Sequence, residues 1–512
     1  MLQVRSEAGR VTWKTTLLWL SVLHPAVVVA LSTFRQSNSL VGNRHAYGLV
    51  NPQRLNLQES RPTGLCLVGF FIGRFARNAI QEESCIQMKP FHIMAKPHGA
   101  ICNLDCTYCY YLEKENLYAG SGRDFRMSSE VLETYICQYI QSQPAQRVSF
   151  AWQGGEPTLL GIPFFERVVE LQKKHAGGKA VDNAFQTNGT LLDDAWGEFL
   201  ARHNFLIGIS IDGPEEIHDA YRVDKGGKPT FARVMRGLGI LKKHGVQFNT
   251  LTVINRKNSY FPKQVYRFLK EIGSKYLQFI PVVEQVAKEP NANGLVLLKP
   301  YSRQPTVVSD WSVEPLQFGR FLQEIFDDWV TRDVGQIFVQ VFDVALESWY
   351  GAPQSLCVFA PTCGSALALE HNGDLYSCDH FVYPDNRLGN IMQTAMTNLV
   401  NSSQQTRFGN AKETGLPSDC RQCDVRFACN GECPKHRFTQ TASGEYGLNY
   451  LCAGYKHFFH HIDPYMRFMA EELRNDGAPA RVMEWARSGR RSVAHAAAKQ
   501  TRQQEHGQKA LA

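Results

Sequence analysis

The sequence predicts an α/β fold with a parallel sheet and helices outside it, followed by a separate cysteine-rich domain. Six short apolar runs rich in β-branched residues alternate with segments of helical periodicity up to about residue 290. From residue 357 onward the chain is rich in cysteines and turn residues. Because functional groups of parallel sheets collect at the carboxyl ends of the strands, we expect the site at that edge.

The individual elements follow from local patterns. The predicted strands are 91–95, 147–152, 183–186, 206–211, 247–254 and 276–283. The predicted helices are 129–141, 164–175, 193–203, 231–244, 259–272 and 315–350. Ser128 is the expected N-cap of the first helix, and Thr190-Leu-Leu-Asp193 resembles a capping box with Asp in place of Glu. Cys137, on the first helix, is expected to be a small buried hydrophobe.

Length, composition and charge limit the function classes. The chain has 512 residues, 44% hydrophobic and 20% charged, which indicates a soluble globular protein of two to four domains. The net charge is +7, but residues 1–87 and 481–512 each carry +5, so residues 88–480 carry −3. A basic groove in the folded body is not indicated, and no nucleic-acid partner is expected.

We predict five regions along the chain. Residues 1–87 form an N-terminal extension of doubtful status, and the preferred interpretation is that translation starts at Met88. The apolar run 16–31 in that extension can also be interpreted as a signal peptide or an anchor, although it is short for a spanning helix. The other predicted regions are a barrel domain over 88–310, a helical connector over 311–356, a cysteine-rich domain over 357–470 and a disordered basic tail over 471–512.

The most informative motif is a cysteine triplet. Residues 102–109 read CNLDCTYC, so Cys102, Cys106 and Cys109 have the spacing C-x3-C-x2-C. Three thiolates can hold three irons of a four-iron cluster and leave the fourth iron open to a small molecule. The alternative is a structural zinc site with a distant fourth ligand, although zinc sites favour C-x2-C pairs.

This triplet directly after a first strand resembles the radical S-adenosylmethionine (SAM) superfamily. The resemblance implies a partial (β/α)6 barrel, which agrees with the six predicted strands. It also implies that the open iron binds SAM and that one electron cleaves SAM to a 5′-deoxyadenosyl radical.

The resemblance implies further SAM contacts. Gly155 lies in the GGEP stretch after the second strand, and Ser210 ends the fourth strand. Arg222 follows and could pair with the SAM carboxylate through its planar guanidinium. Tyr108 lies inside the triplet, and Val283 ends the predicted sixth strand. For each there is a plain alternative: a turn for GGEP, a surface ion pair for Arg222, and packing for Tyr108 and Val283.

Eight later cysteines can complete two four-ligand sites. They are Cys357, Cys363, Cys378, Cys420, Cys423, Cys429, Cys433 and Cys452. The run from 420 to 433, followed by Cys452, resembles the SPASM extension of radical SAM enzymes, which holds two auxiliary four-iron clusters. The resemblance implies one cluster on Cys357, Cys363, Cys378 and Cys433. It implies the other on Cys420, Cys423, Cys429 and Cys452. A zinc ribbon over 420–433 is the alternative.

Over roughly 88–470 the chain is very similar to the anaerobic sulfatase-maturating enzymes. The similarity rests on the stretches AKPHGAICNLDCTYCYYLEK, FAWQGGEPTLLG, FQTNGTLLDDAW, SIDGPEEIHDAYR, HNGDLYSCDHFVYPDNRLGNI and LNYLCAGYKHFF. It implies oxidation of one Cys or Ser of a sulfatase to Cα-formylglycine, with SAM and three 4Fe-4S clusters as cofactors. The implied partners are the sulfatase polypeptide and a reducing flavodoxin- or ferredoxin-like electron donor.

Two residues match catalytic positions of that family. Asp379, next to Cys378, matches the base that removes the substrate's thiol or hydroxyl proton, and we expect burial to raise its pKa. The alternative is that Asp379 caps a turn or pairs with His380. Tyr111 matches an active-site tyrosine, although aromatic packing explains it almost as well.

Two other functions stay open at this point. One is a different SPASM-type peptide modification that forms a thioether or carbon crosslink, and the other is a non-catalytic zinc-ribbon module. Cluster chemistry requires a reducing compartment, so a cytoplasmic location is expected. We further expect a monomer without stable membrane association.

Overall fold

The computed structural model describes residues 90–118, 125–287, 289, 296–300 and 307–488. The extension 1–87, with its apolar run and two cysteines, lies outside the described residues, and so does the tail beyond residue 488. Among the helices that the structure describes, none is long and apolar enough to cross a membrane.

One large sheet dominates the fold. The strands are β1 His92–Lys96, β2 Arg147–Trp152, β3 Ala180–Thr187, β4 Leu206–Ser210, β5 Phe248–Ile254, β6 Tyr276–Pro281, β7 Gln285–Val286, β8 Val307–Val308, β9 Phe338–Val339, β10 Ala366–Glu370, β11 Asp374–Tyr376, β12 Arg387–Asn390, β13 Thr439–Gln440 and β14 Tyr446–Leu448. Ten of them form a sheet in the order β12-β11-β10-β1-β2-β3-β4-β5-β6-β9. Pairing is parallel from β10 through β9, and β11 and β12 are antiparallel.

Helices connect and cover these strands. They are α1 Ser129–Ser142, α2 Ile162–His175, α3 Asp194–Arg202, α4 Glu215–His218, α5 Phe231–Lys243, α6 Pro262–Glu271, α7 Pro315–Arg332, α8 Gln340–Tyr350, α9 Met396–Val400, α10 Ser403–Thr414, α11 Ser418–Arg421, α12 Arg426–Cys429, α13 Cys452–Arg474 and α14 Val482–Arg487. The parallel strands β1 to β6 alternate with helices, which confirms the predicted α/β class. The cysteine-rich region follows, as predicted.

Several local predictions are confirmed and others are wrong. Ser128 caps α1 by accepting from the Val131 backbone N–H at 3.3 Å. Asp193 is itself the N-cap of α3 and accepts from Trp196, so the capping box starting at Thr190 is wrong. The predicted helix 315–350 is two helices, because β9 interrupts it. Cys137 is only half buried, which corrects its predicted burial.

The sheet crosses the predicted domain boundary. β10, from the cysteine-rich region, pairs in parallel with β1, with His92 opposite Ala366. Helix α13 runs past residue 470 to Arg474, and α14 follows it. Within the predicted disordered tail, residues 471–474 and 479–487 are therefore helical.

Side-chain alternation places the site on the sheet. Along β4, Ile207 and Ile209 are fully buried in the core, whereas Gly208 and Ser210 line a cavity. This two-residue period is the ordinary consequence of strand geometry. One face of the sheet thus packs on helices, and the other borders the cavity described next.

Candidate active site

The three cysteines of the triplet lie on a loop after β1, at the carboxyl end of the sheet. Asn103 anchors the loop by donating to Thr190 Oγ1 at 2.9 Å and by accepting from Asn188 Nδ2 at 2.8 Å. The backbone N–H of Asp105 donates to the carbonyl of Val223 at 2.9 Å. These contacts join the loop to the segments after β3 and β4.

Cys102, Cys106 and Cys109 are free thiols that line the same cavity. Burial, together with the charges of neighbouring thiols, raises the pKa of Cys102 and of Cys106 to about 12. Such thiols ionise when a metal replaces their protons. A desolvated set of three converging thiols therefore fits an iron–sulfur cluster with one open iron.

The GGEP stretch holds the cysteine loop against β2. A Cβ on Gly155 would lie 2.0 Å from the carbonyl oxygen of Ile101, so only glycine fits. The Gly155 N–H donates to Gly99 O, and the Glu156 N–H donates to Ile101 O, each at 2.8 Å. The GGEP stretch is therefore a close approach of its backbone to that of the cysteine loop, and not only the turn of the alternative interpretation. Gly155 also lines the cavity.

Tyr108, Asp212 and Arg222 form a buried polar group beside the triplet. The Tyr108 hydroxyl donates to Asp212 Oδ2 at 2.5 Å and accepts from Arg222 Nη1 at 2.8 Å. Arg222 is 6% exposed, which excludes the surface ion pair. Its buried Nε has no hydrogen-bond partner among the described residues. A cavity-lining guanidinium with a free donor fits a carboxylate such as that of SAM.

Two further predicted SAM contacts have different outcomes. Ser210 lines the cavity, and its Oγ accepts from Gln186 Nε2 at 3.1 Å. Val283 packs in the hydrophobic core and does not line the cavity, whereas Val282 does. β6 ends at Pro281, so the strand end predicted at Val283 is wrong, whereas the contact of Val283 with SAM stays a prediction.

The eight later cysteines separate into two groups. Four of them, Cys357, Cys363, Cys378 and Cys433, line the same cavity as the triplet, and we call them the near group. The others, Cys420, Cys423, Cys429 and Cys452, are the far group. After burial, the charges of the other three near-group thiols, followed by that of Asp379, raise the pKa of Cys378. Likewise Cys452 and Cys423 raise the pKa of Cys420.

The eight thiols thus fall into the two sets that the family resemblance implies. Within the part of the chain that the structure describes, no three His, Cys, Asp or Glu side chains are placed to surround a single metal ion.

Asp379 lies at the cavity beside the near group and is ion-paired. Its Oδ1 is 2.5 Å from Lys96 Nζ, and its Oδ2 accepts from the Tyr110 hydroxyl at 2.5 Å. Burial alone would raise the pKa of Asp379. The charges of Lys96 and His380 and the hydrogen bonds from Lys96 and Tyr110 outweigh burial and lower it to about 2. The expected upward shift is therefore wrong, and the carboxylate is ionised.

Tyr111 lines the cavity, but its hydroxyl points elsewhere. It donates to the buried carboxylate of Glu370, and the Lys96 ammonium lies 4.4 Å from the centre of its ring. The structure thus brings Tyr110, not Tyr111, into contact with Asp379.

Sequence reasoning missed two residues that contact the candidate base. Lys96 ends β1 and also donates to Gln153 Oε1 at 3.1 Å. Tyr110 stands directly after Cys109 and lies under the ammonium of Lys435 at 4.4 Å. Lys96 could have been found, because a charged residue that ends a buried parallel strand lies at the functional edge.

The cysteine triplet, the near group and Asp379 share one cavity. It has a volume of about 460 Å³ and extends from the cysteine triplet to the near group, with Asp379 on its wall. Ligand sites of this size combine an apolar lining with a few placed polar groups. The arrangement can hold a cosubstrate at one end and an electron acceptor at the other, with a carboxylate between them.

Fold and site together define a radical SAM enzyme with an iron–sulfur extension. Residues 97–268 match the model of the Radical SAM superfamily. Residues 357–424 match that of the SPASM iron–sulfur cluster-binding domain. The chain therefore uses SAM and iron–sulfur clusters.

Curated relatives narrow the class. The chain is 49% identical over 401 residues to a serine-type anaerobic sulfatase-maturating enzyme of Bacteroides thetaiotaomicron, covering 78% of this chain and 96% of that protein. It is 33% identical over 394 residues to a cysteine-type enzyme of Clostridium perfringens, covering 76% and 100%. A solved structure titled native anSMEcpe with bound AdoMet and Cp18Cys peptide matches with a TM-score of 0.65, 32% identity and coverage of 75% and 99%. The chain belongs to the anaerobic sulfatase-maturating enzymes.

Proposed function

We propose that this enzyme oxidises one serine or cysteine of a sulfatase polypeptide to Cα-formylglycine. The observation that carries the proposal is the position of ionised Asp379 between the triplet and the near group. Relatives named as maturating enzymes of both the serine and the cysteine type support the substrate class.

The cofactors are assigned to residues as follows. Cys102, Cys106 and Cys109 hold one four-iron cluster, and the near and far groups hold two auxiliary clusters. Tyr108, Gly155, Ser210 and Arg222 would surround SAM, and the Arg222 guanidinium would pair with its carboxylate. When bound, these groups supply a 5′-deoxyadenosyl radical that takes a hydrogen atom from the substrate Cβ, and an acceptor for the second electron.

The chain's own residues bind and orient the acceptor of the substrate's hydroxyl or thiol proton. Asp379 accepts the proton of the substrate hydroxyl or thiol, which is the task of a general base. Lys96 and Tyr110 fix the two carboxylate oxygens, so the acceptor is oriented before the substrate enters. Tyr111 is buried at the cavity wall, where its ring packs beside the Lys96 ammonium. A serine then gives the aldehyde directly, whereas a cysteine gives a thioaldehyde that hydrolyses and releases sulfide.

Reduction of the clusters requires a partner. We propose a flavodoxin- or ferredoxin-like protein as the donor and a reducing compartment as the location. A chemical reductant can replace the donor in the assay below.

The test is anaerobic incubation of the reconstituted enzyme with SAM, a reductant and matched sulfatase-derived peptides carrying Ser, Cys or Ala at the target position. Formylglycine is trapped by a hydrazide and read by mass spectrometry. We expect a trapped aldehyde from the Ser or the Cys peptide and none from the Ala peptide. A product that has lost hydrogens but traps no hydrazide would indicate a crosslink and contradict the proposal.

A further inference from the structure

Two buried cations lie beside the later cysteine groups. Lys412 is 0% exposed and lies on α10, and Arg437 is 4% exposed and follows the short helix Pro434–His436. In the described part of the chain, no carboxylate forms an ion pair with either side chain. A buried charge without a counter-charge is strongly destabilising, so both cations need a negative partner.

Their hydrogen bonds do not supply that partner. Lys412 Nζ donates to the carbonyls of Cys357 at 2.7 Å and Val358 at 2.9 Å. Arg437 donates to the carbonyls of Lys412 at 2.5 Å, Asn430 at 2.8 Å, Gly431 at 2.8 Å and Glu432 at 3.2 Å. Carbonyl oxygens satisfy the N–H donors, but they leave both positive charges uncompensated.

The nearby carboxylate of Glu432 is already engaged. Its Oε2 is 2.9 Å from His436 Nδ1 and accepts from Asn449 Nδ2 at 2.6 Å. Arg437 meets only the backbone carbonyl of Glu432. The negative partners that remain for the two cations are the ionised sulfurs of the cysteine groups.

The two cations face different cysteines. Helix α10 packs directly on the near group, because the Cys363 N–H donates to Gly409 O at 3.0 Å and a Cβ on Gly409 would lie 2.6 Å from Cys363 O. The Lys412 ammonium reaches the carbonyl of Cys357 itself. The Arg437 guanidinium reaches the carbonyls of residues 430–432, the segment between Cys429 of the far group and Cys433 of the near group. Lys412 therefore lies beside the near group, and Arg437 lies beside both groups.

We propose that Lys412 and Arg437 are the counter-charges of the auxiliary iron–sulfur clusters and raise their reduction potentials, Lys412 that of the near cluster and Arg437 those of both. This inference rests on the cluster assignments of the proposed function. Reduction adds a negative charge, and a fixed cation in a low-dielectric site stabilises the reduced state. Net charge and hydrogen bonding are the means by which proteins tune such potentials.

The consequence concerns the second electron of the reaction. Oxidation of the substrate removes one hydrogen atom, one proton and one further electron. The hydrogen atom leaves to the deoxyadenosyl radical, and the proton goes to Asp379. The remaining electron passes to the near group, where Lys412 stabilises the charge that arrives. Both cations are positioning residues, since neither touches the substrate.

The test is a redox titration of the full-length, reconstituted protein, followed by electron paramagnetic resonance. Replacing Cys102, Cys106 and Cys109 by Ala removes the triplet cluster, so that only the auxiliary clusters titrate. In this background we expect Lys412→Met to lower one of the two midpoint potentials and to leave the other unchanged. Arg437→Gln is expected to lower both.

Lys179 provides a matched control. Its Nζ also donates to two backbone carbonyls, those of Ile140 at 2.7 Å and Gln143 at 2.5 Å. It precedes β3, at the amino ends of the strands, opposite the cysteine loops. Lys179→Met removes an equivalent pair of hydrogen bonds, and we expect both potentials to stay at the values of the parent protein.

The outcomes separate the inference from the proposed function. If Lys412→Met loses iron, the potential of Lys412→Gln tests the inference instead, because glutamine keeps a donor for the two carbonyls and removes the charge. Lys412→Arg restores the charge and should restore the potential. Unchanged potentials in iron-loaded Lys412 and Arg437 variants overturn the inference. The titration needs no peptide, so shifted potentials in the triplet-free background, together with a wild-type enzyme that converts no sulfatase peptide, would support the inference and refute the proposed function.

Discussion

The Nζ of Lys96 and the Oδ1 of Asp379 form a buried ion pair at 2.5 Å. Lys96 ends β1, and Asp379 follows β11, so the pair joins the barrel to the cysteine-rich region at the wall of the cavity. The parallel pairing of β1 with β10 brings the two residues together. The candidate base is therefore held by Lys96, the last residue of the strand that precedes the cysteine triplet.

Asp379→Asn should separate SAM cleavage from aldehyde formation. The amide keeps the shape of the side chain but accepts no proton, so aldehyde formation should fall by about 10²- to 10⁴-fold, the usual contribution of a general base. Formation of 5′-deoxyadenosine should persist. Asp385→Asn is the control, because Asp385 is exposed and paired with Lys299. Both products are measured by chromatography, and normal aldehyde formation by Asp379→Asn would refute the assignment of the base.

Tyr110→Phe should mainly affect the reaction rate, whereas Tyr111→Phe should mainly affect the stability of the fold. Tyr110→Phe removes a donor to Asp379 and should slow aldehyde formation with little change in stability. Tyr111→Phe leaves the buried carboxylate of Glu370 without its tyrosine donor and should lower the free energy of unfolding by about 1–3 kcal/mol. Urea unfolding and initial rates are compared for the two variants. Equal stability of Tyr111→Phe and wild type would show that the buried hydrogen bond contributes little.

Gly155→Ala should displace the cysteine loop. The added methyl would overlap the Ile101 carbonyl, so we expect loss of the iron held by the triplet and loss of SAM cleavage, with iron retained at the later cysteines. Gly239→Ala is the matched control, since nothing lies within 4 Å of its added Cβ. Iron analysis and 5′-deoxyadenosine formation test both variants. A Gly155→Ala protein with full iron and normal cleavage would contradict the role given to this glycine.

Lys114 should make stability depend on pH. Its side chain is 3% exposed, with Nζ 3.4 Å from the centre of the Tyr383 ring. Burial, helped by the charge of Lys435, lowers its pKa to about 7, although Glu284, Glu113 and Asp379 oppose the shift. The unfolded side chain titrates near pH ~10.4. Between these values the unfolded chain binds one more proton, so the free energy of unfolding rises with pH, by up to about 1.4 kcal/mol per unit.

Lys114→Met removes this contribution. The variant should show a smaller increase in unfolding free energy between pH 7.5 and pH 9 than wild type, measured by urea titration in anaerobic buffer. Lys225→Met, at an exposed lysine, should keep the wild-type slope. Equal slopes for wild type and Lys114→Met would show that Lys114 titrates normally in the folded protein.

Much of the fold was predictable because its signals are local. Each of the six strands β1 to β6 overlaps a predicted β-branched apolar run, and Ser128 caps its helix as expected. The division of the eight later cysteines into two groups was expected from the family resemblance and not from their spacing. The antiparallel extension β11–β12 was not, because short strands give weak periodicity.

The details of the site that were missed depend on contacts distant in sequence. Nothing near Asp379 indicates that Lys96 pairs with it, and this ion pair reverses the direction of its pKa shift. The end of the sixth strand was also missed. The predicted strand is two residues too long, and Val283 packs in the core whereas Val282 borders the cavity.

Isotope transfer from a labelled peptide tests the central claim most directly. A sulfatase-derived peptide carrying deuterium at both Cβ positions of the target residue is incubated with the anaerobic enzyme, SAM and reductant. We predict deuterium in the recovered 5′-deoxyadenosine, together with a hydrazide-reactive aldehyde in the peptide. Unlabelled 5′-deoxyadenosine alongside the aldehyde would show that the hydrogen is not taken from Cβ and would contradict the account.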